Sequence, residues 1–150
     1  MKEIKADIFQ LARTCNDPST AICVTTNGII KGNGRAVMGA GIAKAFCNKI
    51  PDIDIALANH LRANGNVPGI IGTYSNCKII SFPTKHNWVN PSDINLIKQS
   101  AEILMQIAEA NGITHIYLPK PGCQCGKLSW SDVKPVIEPI LGDRATIVTL

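Results

Sequence analysis

The sequence contains few aromatic residues and no long apolar run. Aromatic residues make up 5% of the 150 residues and charged residues 17%, whereas 45% are hydrophobic. No apolar stretch approaches the roughly 20 residues of a membrane-spanning helix. Residues 1–10 alternate charged and apolar types, without the apolar core of a signal peptide. We therefore expect a globular, cytoplasmic protein that does not span a membrane.

Internal repeats, low-complexity tracts and linkers rich in Pro, Gly or Ser are also lacking. A chain of this length is near the usual size of one domain. The net charge of +4, from 15 basic and 11 acidic residues, is too small to predict nucleic-acid binding, although it suits a protein that handles phosphates. The sequence predicts a single domain, residues 1–150, and a monomer is the default expectation.

The six cysteines lack the spacing of a metal site. Cys123 and Cys125 are one residue apart, and no paired CxxC or HxxxH motif supplies two further ligands. Several cysteines lie in apolar runs, where a free thiol packs as a small hydrophobic group, and no export signal favours disulfides. We expect reduced thiols, no metal and no cofactor.

Strand and helix patterns alternate along the chain. Strands are predicted at residues 2–9, 21–25, 70–74, 78–82, 115–119 and 145–150. Helices are predicted at 41–49, 52–62, 93–110 and 130–141, the third capped by Ser92 or Asp93. The expected fold class is α/β: a three-layer α/β/α sandwich around a mixed, largely parallel sheet.

Three segments that follow predicted strands are rich in glycine and basic residues. They are residues 26–41, 83–88 and 119–127. Because ligands of parallel sheets gather at the carboxyl ends of the strands, we expect these segments to meet at one rim. His60 and His115 lie in apolar contexts and are interpreted as structural.

The first and third segments have the character of phosphate loops. The glycines of residues 37–43 let the backbone approach a ligand, and a helix that begins there adds its positive end. The alternative is a plain helix start with tight packing against the sheet. The segment is neither a Walker loop nor a complete Rossmann fingerprint. Residues 119–127, with two glycines and two lysines, suit a second cradle for the same anion.

The motifs VMGAGIA, FPTK followed by Trp88, and LPKPGCQCGKLSW occur in an order that resembles macrodomains. The similar branch contains terminal ADP-ribose glycohydrolase and DarG-type DNA ADP-ribosyl glycohydrolase antitoxins. Phage and bacterial proteins described as ADP-ribose-1″-phosphate phosphatases are similar too. The resemblance implies an ADP-ribose-binding protein that removes ADP-ribose from DNA or protein. Dephosphorylation of ADP-ribose-1″-phosphate and non-catalytic ADP-ribose reading are the alternatives.

The resemblance also assigns roles to residues. Asp7 and Ile8 match the adenine contact, Asn27 lies beside the terminal ribose, and Lys85 acts at C1″. Lys85, His86 and Asn27 are the catalytic candidates. The two phosphate loops correspond to Met38, Gly39, Ala40, Gly41 and Ile42, and to Pro121, Gly122, Cys123, Gln124, Cys125 and Gly126.

The sequence departs from this pattern at several positions. Gly126 stands where terminal ADP-ribose glycohydrolase has a catalytic aspartate, so hydrolysis of protein–glutamate esters does not follow. Asn87 takes the place of the usual histidine in the antitoxins, and His86 is shifted by one position. A longer segment 28–36 is expected to bring Lys31 and Arg35 near the ribose.

Overall fold

Six strands form a single sheet in the order β1-β6-β5-β2-β4-β3. This computed structural model describes all 150 residues. The strands are β1 (Lys2–Lys5), β2 (Thr20–Thr26), β3 (Gly69–Tyr74), β4 (Cys77–Pro83), β5 (His115–Leu118) and β6 (Ala145–Thr149). Neighbouring strands are parallel except β3 and β4, which form an antiparallel hairpin. The prediction of a mixed, largely parallel sheet is confirmed.

Five α-helices cover the two faces of the sheet. They are α1 (Ile8–Cys15), α2 (Gly41–Lys49), α3 (Ile53–Asn64), α4 (Ile94–Ala110) and α5 (Trp130–Leu141). Side chains of α1, α2 and α3 pack with Ile22 and Val24 of β2 in one core. Those of α4 and α5 pack with Ala21 and Cys23 in a second core. The central strand β2 is thus buried on both faces, which explains its continuous apolar sequence.

Helix α1 was not predicted, and the strand predicted over residues 2–9 is too long. The strand ends at Lys5, and Asp7 caps a helix of eight residues by accepting a hydrogen bond from the backbone N–H of Phe9 at 2.9 Å. A helix of two turns offers little periodicity to detect. Its apolar positions, Ile8, Leu11, Ala12 and Cys15, nevertheless have helical spacing.

The other predicted elements lie within a few residues of the observed ones. At the start of α4, Asp93 rather than Ser92 is the N-cap, and its carboxylate accepts from the N–H of Asn95 at 2.9 Å. None of the helices has the length and hydropathy required to cross a bilayer.

Candidate functional site

A cleft of about 990 Å³ opens at the carboxyl ends of four neighbouring parallel strands. β6, β5, β2 and β4 all run in the same direction, so their carboxyl ends lie at one edge of the sheet. The residues at these ends that line the cleft are Thr25, Thr26, Thr84, Lys85, Pro119, Lys120 and residues 148–150. All three predicted loops meet there, as the sequence indicated.

The first loop brings the amino end of α2 to the cleft. Ala40 is the N-cap residue and makes no side-chain hydrogen bond. The first helical bond runs from Lys44 N to Ala40 O at 3.3 Å, so the N–H groups of Gly41, Ile42 and Ala43 have no partner within the helix. These residues line the cleft. Free N–H groups and the positive helix end make this wall suitable for an anion.

Gly41 is in the left-handed region, with φ of 56°. A Cβ atom at this position would lie 3.5 Å from Sγ of Cys125 in the other loop. The two predicted phosphate loops therefore face one another across the cleft, with glycine at the narrow point.

The second loop has no room for a side chain at Gly126. A Cβ there would overlap Oγ of Ser92 and lie 2.5 Å from the backbone oxygen of Gly122. Ser92 also donates its backbone N–H to Gly126 O at 3.0 Å. Glycine at position 126 is thus required by close packing with the segment that precedes α4.

Lys85 connects the middle loop with the second loop. Its ammonium Nζ donates to the backbone oxygen of Cys125 at 2.9 Å. Its backbone N–H, and that of Thr84, donate to Thr26 O at 3.4 Å and 3.0 Å, which continues the pairing of β2 with β4. The side chain lines the cleft and is half-buried.

The charged side chains that line the cleft are all basic. Lys85, Lys120 and Lys127 line it, and no aspartate or glutamate side chain does. The Nζ atom of Lys120 also lies 5.4 Å from the centre of the Trp130 ring, which favours a cation there. Together with the amino end of α2, these lysines favour a ligand with negative charge.

The thiol of Cys123 lies in the wall rather than at the tip of the second loop. Its Sγ contacts Pro121 O at 3.4 Å. Burial raises the pKa of Cys123, against the opposing effect of Lys120, so the protonated thiol is favoured. Cys125, in contrast, is exposed.

Most of the predicted site residues come together at the cleft. Those that line it are Lys85, Met38, Gly39, Ala40, Gly41, Ile42, Gly122, Cys123, Gln124, Cys125 and Gly126. Their roles toward a ligand remain predictions. Pro121 is buried between two lining residues and does not line the cleft itself.

His86 and Asn27 lie outside the cleft, although both are next to residues that line it. His86 is exposed, and its Nε2 pairs with Oδ2 of Asp93 at 2.8 Å. Asn27 uses both ends of its amide: Nδ2 donates to Val37 O at 3.1 Å, and Oδ1 accepts from the N–H of Ile29 at 3.0 Å. Lys85 is therefore the one catalytic candidate whose side chain lines the cleft.

The predicted adenine contact also lies beyond the lining residues. Asp7 is exposed, whereas the side chain of Ile8 is buried in the core. Ala6 donates its N–H to Thr149 O at 2.8 Å, and Thr149 lines the cleft. Asp7 and Ile8 therefore follow directly after a residue that is hydrogen-bonded to the cleft wall, but neither of them lines the cleft.

Lys31 and Arg35 do not line the cleft. They lie on a short hairpin closed by the bridge between Ile30 and Ala36. Arg35 pairs with Asp54 at 2.9 Å and Asp52 at 3.4 Å. This ion pairing draws the Arg35 side chain toward the start of α3.

Sequence reasoning missed the wall formed by residues 148–150, because nothing in the sequence indicated that β6 lies next to β5. It also left open the position of Trp88, which is 59% exposed and lines the cleft. Beside it, Oδ1 of Asn87 accepts from the N–H groups of Val89 and Asn90 at 3.0 Å and 2.9 Å. This local turn positions Trp88 at the solvent-exposed edge of the cleft.

Comparison with known proteins agrees with this geometry. A family model described as Macro domain matches residues 32–137. ADP-ribose glycohydrolase OARD1 of Bos taurus is 28% identical over 152 residues, covering 98% of the chain and 90% of that protein. The DNA ADP-ribosyl glycohydrolase of Thermus aquaticus is 29% identical over 115 residues, 73% of the chain and 32% of that protein.

A solved structure, Thermosipho africanus DarTG in complex with ADP-ribose, shares the fold. Its TM-score is 0.78 at 22% identity, over 99% of the chain and 41% of that protein. The chain thus spans less than half of the DarTG protein and about a third of the Thermus protein.

Proposed function

The chain belongs to the macro domain family, and on that premise we propose that it is an ADP-ribosyl hydrolase. It binds the ADP-ribosyl group of modified DNA or protein in the cleft and cleaves the bond at C1″ of the distal ribose. The relatives that support this proposal are named as ADP-ribose and DNA ADP-ribosyl glycohydrolases.

The observation that carries the proposal is the composition of the cleft. Two loops face each other across Gly41 and Cys125, one of them presents the free N–H groups of a helix start, and no acidic side chain opposes the three lysines. A diphosphate needs such an arrangement, because its oxygens are strong acceptors and carry negative charge.

Within this arrangement, the loops would hold the diphosphate and Lys85 would act at C1″. The contact of Nζ with Cys125 O orients the ammonium as a hydrogen-bond donor. A donor suits stabilisation of the leaving group as the bond to C1″ breaks and water adds there. Direct attack by the amine on C1″ would first require loss of the proton.

A non-catalytic ADP-ribose reader is the second candidate, and one observation favours it. No carboxylate side chain lines the cleft, so no aspartate or glutamate is available as a general base. In a reader, Lys85 would contribute to affinity alone.

A comparison of three substrates tests these candidates. The protein is incubated separately with thymidine-ADP-ribosylated DNA, ADP-ribosylated protein and ADP-ribose-1″-phosphate, and released ADP-ribose or phosphate is measured by chromatography. We expect ADP-ribose from the DNA or the protein substrate. Phosphate release alone would support the phosphatase activity, and binding without any product would support the reader.

A further inference from the structure

Asn66, a residue outside the cleft, is hydrogen-bonded to the backbone of Lys85. Asn66 lies between α3 and β3, and its Nδ2 donates to Lys85 O at 3.0 Å. The N–H of Lys85 donates to Thr26 O at 3.4 Å. The backbone N–H and the backbone oxygen of Lys85 are therefore both hydrogen-bonded to neighbouring segments, and the partner of the oxygen is the Asn66 side chain.

The orientation of the Asn66 amide follows from this contact. A backbone oxygen only accepts hydrogen bonds, so the Nδ2 end must face Lys85 and the Oδ1 end must face away. In that position Oδ1 is buried and accepts no hydrogen bond from another protein group. The contact that fixes the Asn66 side chain is therefore the one to Lys85 O.

The turn that carries Asn27 packs against the same amide. Gly28 donates its N–H to His86 O at 3.2 Å. A Cβ on Gly28 would lie 3.0 Å from Cγ of Asn66 and 3.1 Å from His86 O. The Asn66 side chain thus occupies a space that glycine leaves open, and it joins the segments that follow β2 and β4.

We infer that Asn66 is a positioning residue for Lys85: its amide fixes the Lys85 backbone so that the ammonium is held at the cleft. This inference rests on the proposed function. The lysine side chain is long and flexible, so a small rotation of its backbone displaces Nζ by a larger distance. A displacement of about 1 Å can lower a rate about 100-fold. Because Asn66 does not line the cleft, ligand affinity should depend on it little.

The substitution Asn66→Asp tests the contact with almost no change of shape. An ionised carboxylate repels Lys85 O, whereas a protonated one can donate to it. At pH 8 we expect kcat to fall about 10- to 100-fold, with the Kd for ADP-ribose changed by less than about threefold. Burial and the facing backbone oxygen of Lys85 should raise the pKa of the introduced carboxyl above its ordinary value of about 3.9. The activity relative to wild type should therefore recover as the pH is lowered toward 5, which a general loss of packing would not produce.

A second variant disturbs the hydrogen bond between Asn66 and Lys85 O through Gly28, which packs against the Asn66 amide. Gly28→Ala should lower kcat without the recovery at low pH, because it displaces the amide sterically. Gly32→Ala is the matched control, since its Cβ would meet nothing within 4 Å, and it should behave as wild type. Melting curves of all three variants show whether each is folded under the assay conditions.

A readout that needs no activity separates this inference from the proposed function. Acetic anhydride acetylates lysines, and mass spectrometry gives the rate at Lys85 relative to exposed Lys98. We expect this ratio to rise several-fold in Asn66→Asp and Gly28→Ala, because the ammonium is released from Cys125 O. An unchanged ratio in both variants, or wild-type kcat in Asn66→Asp at pH 8, overturns the role of Asn66. If the ratio rises in the variants but the wild-type protein hydrolyses no substrate, the role of Asn66 in holding Lys85 is supported and the proposed hydrolase function is refuted.

Discussion

Replacing Gly41 with alanine should weaken ADP-ribose binding while the domain stays folded. Gly41 has φ of 56°, and an L-residue in this region costs about 1–2 kcal/mol. Its Cβ would meet Sγ of Cys125 at 3.5 Å, which is ordinary contact distance. Backbone strain is therefore the main effect on stability. For a domain of this size, it corresponds to a fall in Tm of about 2–8 °C.

The effect on binding arises from the same methyl group. It would narrow the gap between the two loops at the point where the diphosphate is proposed to pass. We expect affinity for ADP-ribose to fall at least about tenfold, or ~1.4 kcal/mol. A domain with typical stability of about 5–15 kcal/mol stays folded after such a loss at 25 °C. Unfolding would then not explain the lower affinity.

Circular dichroism melts and titration calorimetry measure the two effects separately. Gly32→Ala serves as control for both, because that residue is exposed, lies on the hairpin outside the cleft and has open space around it. Wild-type affinity in Gly41→Ala would refute the passage of the diphosphate between Gly41 and Cys125. A mutant that is unfolded at 25 °C would show that Gly41 serves mainly the fold.

Three further predictions concern ligand, lysine and pH. ADP-ribose at 100 times its Kd should stabilise the protein by about 2.7 kcal/mol, and no rise in Tm at millimolar ligand would contradict the proposed binding. Lys85→Ala should abolish hydrolysis while the Kd stays within about tenfold, with Lys98→Ala on α4 as control; retained activity would exclude a role at C1″. Burial, and to a lesser extent Lys2, lower the pKa of His115. The contribution of His115 to the free energy of unfolding is therefore complete above the ordinary histidine pKa of about 6.5. It is lost as the pH falls through the lower pKa that His115 has in the folded protein. Tm should fall between pH 7 and 5, and less steeply in His115→Gln; equal slopes would exclude His115 as the cause.

The sequence predicted the elements that have strong local patterns. The apolar run of β2 and the helical spacing of α4 are each set by burial of that element against a core, so they are visible in the chain itself. Helix α1 has only eight residues, and the alternation of charged and apolar types described for residues 1–10 made its start look like a continued strand. Its main local signal was the cap residue Asp7.

The site was predictable where a residue follows directly from a strand end. Lys85 comes two residues after β4 and lines the cleft for that reason. Its partner, Cys125 O, is 40 residues away, and no local pattern indicates that contact. In the same way, Gly126 looked in the sequence like a lost carboxylate. Its packing against Ser92 depends on how two distant loops fit together.

The strand order has a consequence for folding. The four strand ends at the cleft come from segments spread between residues 20 and 149, and β6 must insert between β1 and β5. Long-range parallel pairing of this kind forms slowly, because loop closure precedes most of the contacts. The cleft is complete only when β2, β4, β5 and β6 have all paired. A ligand bound there should therefore slow global unfolding and protect amide hydrogens of β2, β4, β5 and β6 together, rather than stabilise one loop.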